Sequence, residues 1–173
     1  MNVAFTIVAK NYFSFAITLA DSIKKEQPEL PFYILLVDAK EGLDEKYFAQ
    51  YNIVTSTEIG IADFLPMSFK YNVTEFSTAV KPFFIDYLFN RKKFDKVIYF
   101  DPDIYLYQSP ATIFNELDNH SVIITNKKSL HFHGKILYFI TCMQPHKGLY
   151  FIELFISNSF LSKKYNWQKN HYA

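Results

Sequence analysis

Cysteine is almost missing from this 173-residue chain. Its single occurrence, Cys142, excludes an internal disulfide and a cysteine-rich zinc site. A chain without disulfides fits a reducing, cytoplasmic compartment. An excess of one charge is lacking too. Lys and Arg number 18 against 17 Asp and Glu, so the basic surplus that a dedicated nucleic-acid binder needs for phosphate contacts is not there. No apolar run approaches the roughly 18 residues of a membrane span, and the run Ile136–Met143 is broken by Gln144-Pro145-His146-Lys147. Met1–Ala9 has no basic flank of the secretory type, and Lys10 interrupts its apolar run. Glycine is absent from Ala9-Lys10-Asn11-Tyr12-Phe13, which removes the glycine-rich loop of a Rossmann dinucleotide site or a P-loop. Neither an internal repeat nor a low-complexity tract is visible.

What is present is a globular composition. Half of the residues are apolar and 20% are charged, the opposite of the low hydrophobicity and high net charge of disordered chains. The length suits one domain. Nineteen Phe and 13 Tyr supply large rings that fill a small core efficiently.

Strand and helix signals alternate along the chain. Val3–Val8 and Phe32–Val37 are continuous apolar runs of strand length, as buried parallel strands require. Between them, Tyr12, Ala16, Leu19, Ala20 and Ile23 mark one face of a helix for which Asn11 is a suitable N-cap. A short helix over Leu43–Gln50 and a strand over Asn52–Thr55 follow. Glu58–Lys70, with Gly60 and Pro66, has no clear period and reads as loop with about one helical turn. Val73–Phe89 is expected to be helical, capped by Thr74 and either kinked or restarted at Pro82. Val97–Phe100 is a strand, Pro110–Leu117 a short helix, and Val122–Thr125 a further strand. The alternation predicts an α/β fold with a mostly parallel sheet flanked by helices.

The composition changes after Thr125. Four of the five histidines lie beyond it, and Asn126–Ala173 carries seven lysines but one acid, Glu153. The expected division is therefore residues 1–125 as a folded half and residues 126–173 as a divergent basic tail.

The leading chemical candidate is Asp101-Pro102-Asp103, directly after the apolar strand. In open α/β sheets ligands bind beyond the carboxyl ends of the strands. Two carboxylates one residue apart make a hard oxygen site for Mg²⁺ or Mn²⁺, which completes its shell with water and substrate phosphates. Asp-Pro-Asp is equally an ordinary β-turn, and both readings stand. Asn11 and Tyr12, at the end of the first strand, could face a nucleotide, or Asn11 could cap a helix and Tyr12 could be core. Thr78 and Lys81, three residues apart on one helix face, could balance diphosphate charge, although a solvated lysine is the usual outcome. Asp38 either faces the same crevice or caps a loop. His131 and His133 share a strand face, but no nearby acid or cysteine completes a metal set. Cys142 reads as a small hydrophobe.

These windows together resemble a bacterial glycosyltransferase family with the GT-A fold, related to the family that includes glycogenin and lipopolysaccharide galactosyltransferases. The matching residues are Phe5-Thr6-Ile7-Val8-Ala9-Lys10-Asn11-Tyr12 with Leu19-Ala20-Asp21-Ser22, then Tyr71–Glu75 and Thr78–Phe84. Lys96–Tyr105, with its strand, D-x-D and following aromatic, completes them. The resemblance covers about residues 2 to 125. It implies metal-dependent transfer of a sugar from a nucleotide-diphosphate donor, most simply a UDP-sugar, to a saccharide or lipid-linked acceptor. Asp101 and Asp103 would hold Mn²⁺ or Mg²⁺ against the diphosphate, Asn11 and Tyr12 would contact the nucleoside, and Lys81 with Thr78 would lie near the diphosphate or donor sugar. Such families continue past the last strand with Pro-His and a longer segment bearing acceptor-site residues, whereas Asn126-Lys127-Lys128 follows here. The implied chain is truncated or frame-shifted after the D-x-D half, and the expectation leans against turnover. The alternatives are a non-enzymatic fragment that binds nucleotide sugar and a nucleotidyltransferase, whose glycine-rich phosphate loop is lacking. The expected location is cytoplasmic, with the tail lysines leaving contact with the anionic inner membrane face open.

Overall fold

The computed structural model describes residues 1–61 and 64–119 throughout and, beyond them, the backbone of short strands at 122–124, 131–132, 135–136 and 141–143. The break after Thr125 and most of the tail lie outside the described residues. The chain divides into two compact units, Met1–Ser109 and Pro110–Ala173.

The first unit is built on four parallel strands: β1 (Asn2–Val8), β2 (Phe32–Leu36), β3 (Asn52–Thr55) and β4 (Lys96–Tyr99). β1 pairs with β2 on one side and with β4 on the other, and β2 pairs with β3, giving the order β3-β2-β1-β4. Six of the seven residues of β1 are buried, as a strand covered on both faces must be.

Helices supply that cover. α1 (Phe13–Glu26) buries Phe13, Ala16, Leu19, Ala20, Ser22 and Ile23, a stripe of helical period. α4 (Val73–Asp86) buries Phe76, Val80, Phe84 and Ile85. Phe84 meets Phe5 edge-on, with ring centroids 5.3 Å apart, so the face of β1 carrying Phe5 looks toward α4. The crossover through α1 steps from β1 to β2, whereas the one through α4 steps back past β1 to β4. Right-handed crossovers running in opposite directions put the two helices on opposite faces of the sheet. Two short helices, α2 (Glu45–Gln50) and α3 (Phe64–Lys70), complete this unit.

Several local expectations are corrected. α4 is capped by Asn72, not Thr74: Asn72 Oδ1 accepts from the Glu75 N–H at 2.9 Å, and Glu75 Oε2 accepts from the Asn72 N–H at 3.0 Å. This reciprocal box satisfies two donors at once. Pro82 sits inside α4 without ending it, because Val80, Phe84 and Ile85 on either side are buried in the core. The helix then widens into a π turn over Tyr87–Arg91. Residues 64–70, expected as loop with one turn, form α3.

In the second unit, α5 (Ala111–Asn119) buries Phe114 and Leu117. β5 (Val122–Ile124) pairs antiparallel with β8 (Thr141–Met143), and β6 (His131–Phe132) with β7 (Lys135–Ile136). Cys142 lies in β8, opposite Ile123. Among the described residues no helix is long and apolar enough to cross a membrane.

Candidate functional site

The strand order creates a switch point. From β1 the chain departs toward β2 on one face, and β4 is reached from the other face. By the general rule for open α/β sheets, the ligand crevice belongs at this switch point, beyond the carboxyl ends of β1 and β4. Both leading sequence candidates follow those two strand ends.

On one side is Asp101-Pro102-Asp103. β4 pairs with β1 as far as Tyr99 opposite Phe5, and the Phe100 N–H still donates to the Phe5 carbonyl at 2.9 Å. β1 runs three residues further, so the acidic segment leaves the sheet alongside the last turn of pleat of β1. There the Ile104 N–H donates to the Asp101 carbonyl at 3.2 Å, closing a β-turn over residues 101–104. The turn and the acid pair are one feature, with Pro102 supplying its fixed φ at the second position. Asp101 is half-buried and Asp103 exposed. Among the described residues neither carboxylate has an ion-pair partner.

On the other side, β1 ends in a single 3₁₀ turn, Lys10–Tyr12. The Lys10 N–H donates to Asp38 Oδ2 at 2.6 Å, and Lys10 Nζ donates to the Glu41 carbonyl at 2.6 Å. Asp38 therefore ties the exit of β1 to that of β2. Asn11 is not the cap of α1. The Tyr12 N–H closes the 3₁₀ turn onto the Ala9 carbonyl at 3.0 Å, and α1 begins at Phe13 with no side-chain cap. The extra turn faces Asn11 to solvent and leaves Tyr12 49% exposed instead of in the core, beside an equally exposed Phe15 at 5.4 Å between ring centroids.

Lys81 comes from α4. It is half-buried, and its Nζ lies 3.7 Å from the centroid of the Tyr99 ring, the last residue of β4. Tyr99 in turn packs on Phe5 at 5.2 Å. Lys81 is thus on the α4 face of the sheet, against Tyr99, which precedes the acidic turn by two positions. Thr78 is exposed and its hydroxyl donates to the Thr74 carbonyl at 3.0 Å, so that proton is used within the helix.

The structure brings the β1 exit and the acidic turn to neighbouring strand ends and sets Lys81 against the strand that carries the turn. The one hydrogen bond that Thr78 makes among the described residues stays within α4. Among the described residues no three His, Cys, Asp or Glu side chains gather as a metal set; the acids are a pair that needs ligands from elsewhere. At the outer rim Glu58, after β3, accepts from Lys40 Nζ at 2.5 Å and from the Thr55 N–H at 3.2 Å. Partial burial works against its charge, but these donors prevail and hold the carboxyl below its ordinary range.

No family model matches the chain. It is 24% identical over 123 residues to the uncharacterized protein YfnF of Bacillus subtilis (strain 168), a stretch that is 69% of this chain and 41% of YfnF. Among solved structures it is similar to the apo-form glycosyltransferase GlyE of Streptococcus pneumoniae TIGR4, with a TM-score of 0.52, 17% identity, and coverage of 83% of this chain and 34% of GlyE. It is also similar to an active-site mutant of LgtC, with a TM-score of 0.51, 14% identity, and coverage of 83% of this chain and 57% of LgtC. The chain thus has the GT-A fold of glycosyltransferases and spans less than two thirds of the length of each of these proteins.

Proposed function

We propose that this domain binds a nucleoside-diphosphate sugar, with UDP as the favoured nucleotide, in the crevice between β1 and β4. Its reaction class is transfer of the sugar to a saccharide or lipid-linked acceptor. The observation that carries the reading is the acid pair: two carboxylates without ion pairs among the described residues, on a β-turn at the carboxyl end of β4 and beside the exit of β1. Such a pair fits Mn²⁺ or Mg²⁺, hard ions that take one or two carboxylates and fill their remaining positions with water and phosphate oxygens. When bound, that ion would neutralise charge developing on a departing nucleoside diphosphate.

The other roles follow from what each side chain can offer. Asn11 provides an amide donor and acceptor at the rim, and Tyr12 an exposed ring able to lie on a nucleobase. The Lys81 ammonium is held against the Tyr99 ring rather than in bulk water, where a fixed cation stabilises a diphosphate without reorganising. Thr78 contributes least, since its hydroxyl proton is engaged.

Titration calorimetry with UDP, with and without Mn²⁺, tests the reading. UDP affinity is expected to rise with Mn²⁺ in the wild type, and Asp101→Asn and Asp103→Asn should each abolish that rise. Wild-type affinity for UDP and Mn²⁺ in both variants would overturn the assignment of the ion to this pair.

A further inference from the structure

The chain leaving the acidic turn is fastened to α1 at two points. Leu106 is buried, and its N–H donates to the hydroxyl oxygen of Ser22 at 3.1 Å, across 84 residues of sequence. The Ser22 hydroxyl, 1% exposed as a residue, donates in turn to the Leu19 carbonyl at 2.7 Å. Three residues on, Ser109 Oγ donates to Gln27 Oε1 at 2.8 Å, just past the end of α1.

Ser22 is the one polar residue among the six that α1 buries. Serine is a poorer helix former than alanine and brings no apolar surface to the core. Its presence there is explained by its oxygen, which uses its proton on its own helix and offers a lone pair to a distant amide. Without that acceptor the Leu106 N–H would be a buried donor with no partner.

The turn is thereby held at both ends. At its entrance the Phe100 N–H is bound to the Phe5 carbonyl, and at its exit the Leu106 N–H is bound to Ser22. Asp101 and Asp103 are like charges that repel until a cation arrives, and a loosely held turn relieves that repulsion by opening. Anchoring both ends sets the order of the turn before the ion binds, which is preorganisation by supporting residues.

We infer that Ser22 is a positioning residue for the Asp101–Asp103 turn, its hydroxyl holding the outgoing segment on α1 so that the two carboxylates stay set for a divalent cation. This rests on the nucleotide-site reading above. Ser22→Ala is nearly isosteric, and Thr18→Ala is its control, because among the described residues the Thr18 hydroxyl bonds only along α1, to the Ser14 carbonyl at 3.0 Å.

Two measurements test the inference. Native-state hydrogen exchange should show the Leu106 amide at least about tenfold faster in Ser22→Ala than in the wild type and unchanged in Thr18→Ala. UDP affinity measured with Mn²⁺ should fall about tenfold in Ser22→Ala, while UDP affinity without metal stays within about twofold. A merely structural serine would weaken both titrations alike or neither, and either result overturns the inference, as does unchanged Leu106 exchange. If Ser22→Ala does not fold, Ser22→Thr, which keeps the oxygen, takes its place and must retain slow Leu106 exchange and the Mn²⁺-dependent rise. Wild-type protein that binds no UDP with Mn²⁺ would defeat the nucleotide reading and Ser22's part in it, leaving exchange to report separately whether the hydroxyl holds the turn.

Discussion

Removing the Asp38 carboxylate tests how firmly the β1 exit is built. Its Oδ2 accepts from the Lys10 N–H at 2.6 Å in a part-buried setting, a charge-assisted bond of the kind worth about 1.5–3 kcal/mol. Water can reach a part-buried amide, so the low end applies. Asp38→Ala should therefore destabilise the protein by roughly 1–2 kcal/mol. Asp38→Asn keeps the acceptor and loses only the charge, and should cost about half as much. The loss should stay local, because the Val37 N–H still donates to the Val8 carbonyl at 2.9 Å and holds the strand ends together one residue earlier. Urea unfolding followed by circular dichroism gives the global figure, and hydrogen exchange of the Lys10 amide gives the local one. Since Asn11 and Tyr12 follow in the same 3₁₀ turn, UDP affinity should drop in the order wild type, Asn, Ala, whether or not Mn²⁺ is present. Fast Lys10 exchange with unaltered UDP binding would refute the link between this tether and the nucleoside side of the crevice. Unchanged exchange would refute the tether itself.

Three further outcomes are expected. Lys81→Met retains the stem and removes the ammonium, so UDP affinity without metal should fall about threefold to tenfold, more at low salt than at high; equal affinities across a salt series would refute a diphosphate role. Glu58 is held below its ordinary range by Lys40 and Thr55, so its contribution to stability is complete above the unfolded value of about 4.3 and is lost as pH falls through the lower folded value. Glu58→Gln should flatten that part of the acid limb in a pH series of urea midpoints, and an unchanged limb would count against the pairing. Phe84 is fully buried between α4 and β1, edge-on to Phe5, and Phe84→Ala should cost about 3–5 kcal/mol by denaturant unfolding. A loss under about 1 kcal/mol would mean that the two layers do not share this core.

β1 and β2 were readable because burial on both faces leaves them as nearly unbroken apolar runs, and Val3–Val8 and Phe32–Val37 lie within a residue of them. The acidic turn was readable for the same reason, since a strand that ends in Asp-Pro-Asp announces its own edge. α3 was not, because Leu65 and Phe69 are 65% and 88% exposed, and the half-buried Phe64 and Met67 make too short a stripe to mark a helix of seven residues. The cap of α4 fell on the wrong residue because Asn72 and Thr74 are both capping types, and only the partner Glu75, three residues after Asn72, distinguishes them. Asn11 looked like a cap because a 3₁₀ turn inserted between strand and helix leaves no mark in the spacing of apolar residues. Ser22 was beyond reach for a different reason: its partner lies 84 residues away, and no window of local periodicity contains both.

What gathers these residues is strand order more than any one motif. Asp38 follows β2, the 3₁₀ turn follows β1 and the acid pair follows β4, all leaving the carboxyl edge of one sheet. α1 serves the site twice: its first turn carries Phe15 beside Tyr12, and its buried face carries Ser22 beneath the segment that leaves the acidic turn. A shift of α1 along the sheet would therefore move the aromatic rim and the clamp on the turn together, whereas Lys81, on α4 across the sheet, would stay with Tyr99. Lys81 and the acid pair are thus supported by helices on opposite faces of the sheet. On the proposed reading, that separation lets changes in UDP affinity with and without Mn²⁺ be assigned to different elements of one small fold.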